Sequence, residues 1–381
     1  MSRDDAAFFS ELRRREFPTL EVAYFNAAYM GPLPACAVSA VNTAVSASAN
    51  PVFLDYRWVN YTEDARGAIA RLAKCDAEKV SINSSTSEVV STCAFGLDLR
   101  SGDRVAVVEG EYPSDVLPWL VLRDRVGIEV DFLPAKLLQD PKQFAAALHP
   151  SVRVVALSHV SFQTGSIVDL RAMGRELANR DLFTVVDVTQ SFGGMPLDPA
   201  VFGHFDVVVC STYKWLLAPY GQAFAVWSDR ALARVATMHS GWLSMPQMPH
   251  DLTKYTTAAR PGARRFDRGQ SPNILGNRGL CATLELLNGV GLERIWKHNQ
   301  TLVTRIRENL RPQRFTVLTD GLGSNILCLR ATSSMDSAAL QQTLRKSGID
   351  VSVREGNLRI SAHLWNSVEE VDRLLGVLEK S

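Results

Sequence analysis

Short runs of β-branched and aliphatic residues recur through the middle of the chain, and they constrain its fold more than any other feature. They are Val105 to Val108, Val130 to Leu133, Val154 to Leu157, Phe183 to Val186, Val207 to Val209 and Phe224 to Trp227. A strand with one wet face alternates polar with apolar residues. An unbroken apolar run calls for cover on both sides, as in a parallel sheet between two layers of helices. Helical patterns lie between the runs, among them Asp115 to Arg125, Asp140 to Leu148 and Asp169 to Asn179, and supply the crossovers that parallel strands need. The sequence thus predicts an α/β fold with a mostly parallel, doubly wound sheet.

After about residue 275 the rhythm changes. Leu280 to Leu310 reads as one long helical stretch, followed by strand-like Phe315 to Leu318 and Ile326 to Leu329, a helix over Ser337 to Ser347, short edge-like strands around Val351 and Leu358, and a closing helix, Val368 to Leu378. The expected organisation is an N-terminal segment, 1–50, packing on both domains, a large domain, 51–275, and a smaller α+β domain, 276–381. With 46% hydrophobic and 21% charged residues, a chain of 381 residues has ample material for such cores.

Charge and cysteine content exclude several function classes. Forty-one basic residues against 40 acidic leave a net charge of +1, so nothing global recruits nucleic acid or an anionic membrane. The six cysteines include no C-x-x-C pair, which suits a reducing compartment. No stretch stays apolar for the roughly 18 residues of a membrane span, and the N-terminus lacks the apolar run of a secretion signal. A cytoplasmic, soluble protein is the expectation.

Open α/β sheets bind ligands beyond the carboxyl ends of their strands, so the residues that follow each apolar run are where chemistry is to be sought. Ser84-Ser85-Thr86-Ser87-Glu88 follows Val80-Ser81-Ile82 and opens an apolar helix. Hydroxyls and free N–H groups at a helix N-terminus suit a phosphate; a capping box, Ser85 with Glu88, accounts for the same residues. Asp187 ends its run where a carboxylate could hold the protonated ring nitrogen of an aromatic cofactor, or could cap the next turn. Lysine is scarce here, and Lys214, in Ser211-Thr-Tyr-Lys214, follows a buried strand and precedes an apolar stretch. Desolvation disfavours an ammonium there and suits a Schiff-base amine, while a buried ion pair is the structural alternative. Phosphate cup, ring-nitrogen carboxylate and desolvated lysine together are the kit for pyridoxal 5′-phosphate.

These motifs resemble, over nearly the whole chain, the class V aminotransferase family of fold-type I pyridoxal-phosphate enzymes. That family includes cysteine desulfurases and isopenicillin-N-epimerase-like proteins. Tyr24-Phe25-Asn26-Ala27-Ala28 with Gly31-Pro32 resembles its opening strand and entry loop. The resemblance places Thr86, Ser87, Ser211 and Tyr213 on the phosphate, Tyr112 stacked on the ring, Asp187 on the ring nitrogen, Gln190 near the phenolic oxygen and Lys214 as the Schiff-base lysine. It makes Arg359, in Arg354-x-Gly356-x-Leu-Arg359, the fork for a substrate carboxylate.

The stretch from Arg265 to Asn273 resembles a segment that enters the partner's site in family dimers, which implies a homodimer with an intersubunit site. Gln270 and Ser271 stand where a partner threonine is common. Phe162 replaces an asparagine near the phenolic oxygen, with Gln163 beside it as a substitute. The desulfurases carry a nucleophilic cysteine shortly before the arginine strand; Val351 to Ser361 contains none, and Cys328 is the nearest. Tyr56, Trp58, Trp242 and Met245 hint at a substrate with an apolar or extended side chain, and core packing explains them as well.

The expected activity is an aminotransferase-type or deaminating reaction on a small amino acid. β-Elimination, including C–S cleavage, and epimerisation are alternatives, and a fold-retaining binding protein is the non-enzymatic rival. Lys214, Asp187 and Tyr112 are the expected catalytic group, and no metal is called for. A nicotinamide enzyme would need a G-x-G-x-x-G turn after the first sheet strand, which this sequence lacks.

Overall fold

The computed structural model describes residues 3–50, 58–178, 180–240, 253–254, 256–267, 273–321, 323–331 and 336–380. The chain opens with α1 (Arg3–Glu16), a two-residue strand β1 (Ala23–Tyr24), α2 (Ala35–Ser48) and α3 (Trp58–Ala73). A βα alternation follows: β2 (Val80–Asn83), α4 (Thr86–Gly96), β3 (Arg104–Val108), α5 (Pro113–Val126), β4 (Glu129–Leu133), α6 (Pro141–Ala147), β5 (Val152–Ser158), α7 (Leu170–Ala178), β6 (Phe183–Asp187), α8 (Val201–His204), β7 (Val207–Ser211), β8 (Ala223–Trp227) and α9 (Asp229–Arg234). Every predicted run of the middle region is a strand of this sheet.

The strand order is β2-β8-β7-β6-β5-β3-β4. From β7 to β4 all neighbours are parallel, whereas β8 runs antiparallel to both β7 and β2. Alternate residues feed two separate cores: Val155, Leu157, Val186 and Val208 face one, and Val154, Ala156, Val185 and Val207 the other. Both faces are therefore dry, as the unbroken apolar runs require. The order in which strands are added reverses between the parallel neighbours β3 and β5, since β3 leads to β4 on one side and β5 to β6 on the other. That is where an open α/β sheet leaves a crevice.

The C-terminal part contains α10 (Ile274–Val290), α11 (Leu292–Asn309), β9 (Phe315–Val317), β10 (Ile326–Ala331), α12 (Ser337–Lys346), β11 (Ile349–Asp350), β12 (Ser352–Arg354), β13 (Asn357–Ser361) and α13 (Val368–Lys380). The long helix expected over Leu280 to Leu310 is two helices, broken at Gly291, whose φ of 86° and ψ of 129° lie outside the helical region and suit a residue without a side chain. Four of these five strands form an antiparallel sheet in the order β12-β13-β10-β9, so β10 and β13 are interior strands with buried Leu327, Leu329, Leu358 and Ile360, not edges. Their core is distinct from those of the large sheet.

The N-terminal segment touches both parts. Ala23 pairs with Ile349 and Asn26 with Ser361, while Ala27 and Ala28 join a core of the large sheet. On the opposite flank Arg66, 0% exposed, places Nη2 2.7 Å from Asp267 Oδ2, and Asp267 Oδ1 accepts the Ile82 N–H at 2.9 Å. This buried pair fixes residues 262–267 against β2.

Candidate active site

Beyond the carboxyl ends of the parallel strands lies an open-mouthed cavity of about 120 Å³. Thr86, Ser87, Tyr112, Asp187, Gln190, Ser211, Tyr213 and Lys214 all line it, so the structure brings the sequence-predicted cofactor group together at one place. Ser85, Ser114, Ser158, Phe162, Thr189 and Tyr220 complete the wall.

Lys214 leaves β7 in a tight turn. It is 6% exposed, and among the described residues its amine makes no hydrogen bond or ion pair. Its Nζ lies 5.2 Å from the centre of the Tyr112 ring and 5.5 Å from that of Tyr213. Burial lowers its pKa to about 8; the Asp187 carboxylate works against that and the Arg359 guanidinium reinforces it. The N-terminal segment holds this turn from outside. Gly31 N donates to Tyr213 O at 2.9 Å, and a Cβ on Gly31 would fall 2.3 Å from Lys214 O, so glycine is required there.

At the other end of the cavity, hydroxyls from three elements meet. Thr86 Oγ1 and Ser211 Oγ are 2.8 Å apart, and Ser87 Oγ donates to Ser114 Oγ at 2.8 Å. Thr86 and Ser87 open α4, and Ser114 belongs to the first turn of α5, so two helix N-termini converge on one spot. The capping contacts of the serine-rich motif are present, with Ser85 Oγ accepting Glu88 N–H at 3.2 Å and Glu88 Oε2 accepting Ser84 N–H at 2.6 Å, and Thr86 and Ser87 line the cavity. Burial also raises the phenol of Tyr213 above its usual range, which keeps it a donor.

Asp187 is 7% exposed and accepts the Thr189 N–H on Oδ1 at 2.6 Å. Thr189 Oγ1 accepts the Ser211 N–H at 2.8 Å, tying the Asp187 turn to the Thr86 and Ser211 hydroxyls. Gln190 spans two neighbours: Nε2 donates to Ala28 O at 3.1 Å and Oε1 accepts Trp215 Nε1–H at 3.0 Å. One amide hydrogen remains for a ligand. Gln163 lies against Gly110 instead of lining the cavity. Gln270, Ser271, Tyr56, Trp242 and Met245 fall outside the described residues, as does the side chain of Trp58.

Arg359 is neither a surface residue nor part of the cavity wall. It is 1% exposed on interior strand β13 and donates from Nη1 to Phe162 O at 2.7 Å and from Nη2 to Ser352 Oγ at 3.3 Å. Its Nε finds no acceptor, and it makes no ion pair among the described residues. Burial lowers its pKa to about 10. The Phe162 ring meets that of Tyr112 edge to face, with centroids 5.1 Å apart. Just before Arg359, β12 and β13 join through Glu355 and Gly356, with φ of 46° and 74°, while Arg354 pairs with Asn357. That two-residue turn leaves no loop for a nucleophile. Cys328, buried on β10, pairs in register with Arg359.

Sequence reasoning missed two acids. Glu111 and Asp115 lie beside Asp187, and burial raises both above the usual carboxyl range. An acid before or within the first turn of a helix is ordinary, so nothing local marked them.

A mostly parallel sheet with a desolvated lysine, a carboxylate and a hydroxyl-lined cup at its carboxyl edge defines a fold-type I pyridoxal-phosphate enzyme. More particularly, the sequence model of the class-V aminotransferases matches residues 44–374, and the chain belongs to that family, whose cofactor is pyridoxal 5′-phosphate. It is 26% identical over 404 residues to a probable cysteine desulfurase of Methanothermobacter thermautotrophicus, with 96% of each chain covered. It is 27% identical over 400 residues to an isopenicillin N epimerase of Streptomyces clavuligerus, with 98% of each covered. The solved complex of the cystine C–S lyase C-DES with its product cysteine persulfide superposes with a TM-score of 0.88 at 22% identity, covering 95% of this chain and 99% of that one. No helix among the described residues is long and apolar enough to cross a membrane.

Proposed function

We propose that the protein is a pyridoxal-phosphate-dependent lyase that removes the Cα proton of a small amino acid and expels a sulfur substituent from Cβ. The carrying observation is the Lys214 amine: buried, unpaired among the described residues, and facing the cavity between Tyr112 and Asp187. A binding protein has no use for it. Sulfur as leaving atom is supported by the desulfurase and C–S lyase relatives. The tight Glu355-Gly356 turn argues against a covalent persulfide on this chain, because it has no room for a cysteine-bearing loop. Amino-group transfer to a keto acid, the activity expected from the sequence, is the second reading and has the family's own name in its favour.

The residues present fit the cofactor. Thr86, Ser87, Ser211, Ser114 and Tyr213 would hold its phosphate, assisted by the N-termini of α4 and α5. Asp187 would take the ring nitrogen, Tyr112 cover the ring face, and Gln190 direct its free amide hydrogen to the phenolic oxygen. Bound there, pyridoxal phosphate supplies an electron sink for the negative charge left at Cα.

Lys214 would be the amine that holds the cofactor aldehyde, and it is placed to take the Cα proton, a role its lowered pKa suits near neutral pH. Arg359, outside the cavity wall as it stands, would reach the substrate carboxylate by giving up its bond to the Phe162 carbonyl, a buried cation without an ion pair gaining a charge-assisted fork in exchange. Elimination, with one water consumed, would yield pyruvate, ammonium and hydrogen sulfide from cysteine, or pyruvate, ammonium and cysteine persulfide from cystine. A homodimer completing the cavity is part of the proposal, supported by the exposed apolar side chains of Tyr29, Met30 and Leu33 beside the Gly31 turn.

Borohydride reduction of the purified protein should fix the cofactor on Lys214, and Lys214→Ala should fold yet turn over no substrate. In an amino-acid panel, pyruvate and ammonium should appear from cysteine or cystine without added keto acid. A strict requirement for a keto acid would establish the second reading in place of the first.

A further inference from the structure

The side-chain amide of Gln190 is held by two partners that leave it one orientation. Trp215 Nε1–H can only donate, so the atom 3.0 Å from it is the amide oxygen; the Ala28 carbonyl can only accept, so the atom 3.1 Å from it is the amide nitrogen. Turned over, the amide would set N–H against N–H at the indole and oxygen against oxygen at Ala28. Gln190 also lines the cavity. The indole that fixes it is itself fixed. Trp215 is fully buried, and His363 Nδ1 accepts the Leu364 N–H at 2.8 Å, so His363 Nε2 carries the hydrogen and donates it to Trp215 O at 3.0 Å. A Cβ on Gly194 would fall 2.4 Å from Trp215 Cε3, so the turn that follows Gln190 closes directly on the indole.

We propose that Trp215 is a positioning residue: by holding the Gln190 oxygen, its indole N–H turns the remaining amide hydrogen into the cavity and makes Gln190 a fixed donor to the phenolic oxygen of bound pyridoxal phosphate. The inference deepens the reading of Gln190 given above and rests on it. An unrestrained glutamine offers a ligand an oxygen as readily as an N–H. An ionised phenolic oxygen is repelled by the first and stabilised by the second, and a bond to a charged acceptor is the stronger kind. Trp215 follows Lys214 directly, so the residue that sets the donor is one peptide bond from the residue that holds the aldehyde. A donor on that oxygen stabilises its negative charge and competes with the internal hydrogen bond from the nitrogen that joins the cofactor to Lys214. That nitrogen then releases its proton at lower pH.

The test uses the full-length chain loaded with pyridoxal phosphate, without substrate, and reads the pH midpoint of its visible absorbance. Trp215→Phe keeps an aromatic ring and loses the N–H; it should raise the midpoint by about one pH unit, a change of about tenfold in proton affinity. Gln190→Leu removes the donor outright and should raise it at least as far, and the double variant no further than Gln190→Leu alone, because Trp215 acts through Gln190. Asp187, Arg359, Cys210 and Asp115, whose charges act on Lys214, are the same in every variant, so the shift reports the hydrogen bond. A W215F midpoint within about 0.2 pH units of wild type, or shifts that add in the double variant, overturns the proposal. If W215F fails to fold, the benzothiophene isostere of tryptophan at position 215, with sulfur in place of the N–H at nearly the same volume, decides by the same shift. A wild type that takes up no pyridoxal phosphate defeats the functional reading and this proposal with it, a result distinct from an unmoved midpoint in loaded protein.

Discussion

The depressed pKa of Lys214 predicts how fast the protein captures its cofactor at each pH. Capture of an aldehyde needs the free amine. With a pKa of about 8 in place of 10.5, roughly a tenth of Lys214 is unprotonated at pH 7 against about three parts in ten thousand for an ordinary lysine, a gain of about 300-fold. The capture rate should therefore climb tenfold per pH unit below the midpoint and level off above about 8. Chain stripped of cofactor, mixed with pyridoxal phosphate in a stopped-flow instrument and followed by visible absorbance, gives this profile. Dividing by the rate of a simple alkylamine in the same buffers, expressed per unprotonated amine, removes the titration of the aldehyde. Two variants should move the midpoint in opposite directions. Asp187→Asn removes a charge that raises the lysine pKa and should shift it down, while Arg359→Gln removes one that lowers it and should shift it up. A rate that keeps rising to pH 10, or variants that shift it the same way, would refute the electrostatic account.

Gly31→Ala drives a methyl group into the Lys214 carbonyl, a backbone atom with nowhere to go; overpacking of this kind costs about 1–3 kcal/mol, readable by urea unfolding, and should slow cofactor capture as well. Arg66→Met leaves Asp267 buried without its cation and should destabilise by about 3–5 kcal/mol; a loss under about 1 kcal/mol would mean that the pair is not buried in solution. Cys328→Ala should retain at least about half of wild-type turnover, and its thiol should resist alkylation in the folded protein, since burial raises its pKa to about 11. Abolished turnover in C328A would reinstate a sulfur relay on this chain.

Some of this molecule is readable from its residues because the physics is local. A run such as Val154 to Leu157 has one way to be dry on both sides, and Lys214 is conspicuous because an ammonium between a buried strand and an apolar stretch is an anomaly. Gly291 was invisible because a single glycine inside a helical periodicity is usually tolerated. The burial of Arg359 and Asp115 depends on convergence across the fold: β13 is covered through β10 and the Phe162 turn, and α5 meets the end of β6 only once the sheet has closed. Neither position differs locally from a surface strand arginine or an N-terminal helical acid. The pairing of β1 with β11 had no signal either, since two residues make no pattern.

That pairing bears on how the chain matures. Ala23 and Asn26 find their partners at Ile349 and Ser361, nearly the full length of the polypeptide away. At about 5–20 residues per second of synthesis, the opening segment waits roughly 15 to 70 s for the strand it leans on to emerge. Until then the opening segment is held by the large sheet alone, through Gln190 to Ala28 and Gly31 to Tyr213. A nascent chain cut short before Ile349 would thus lack one of the two anchors that seat Gly31 behind the lysine turn, and full closure around the reactive amine becomes a late event in the life of each molecule.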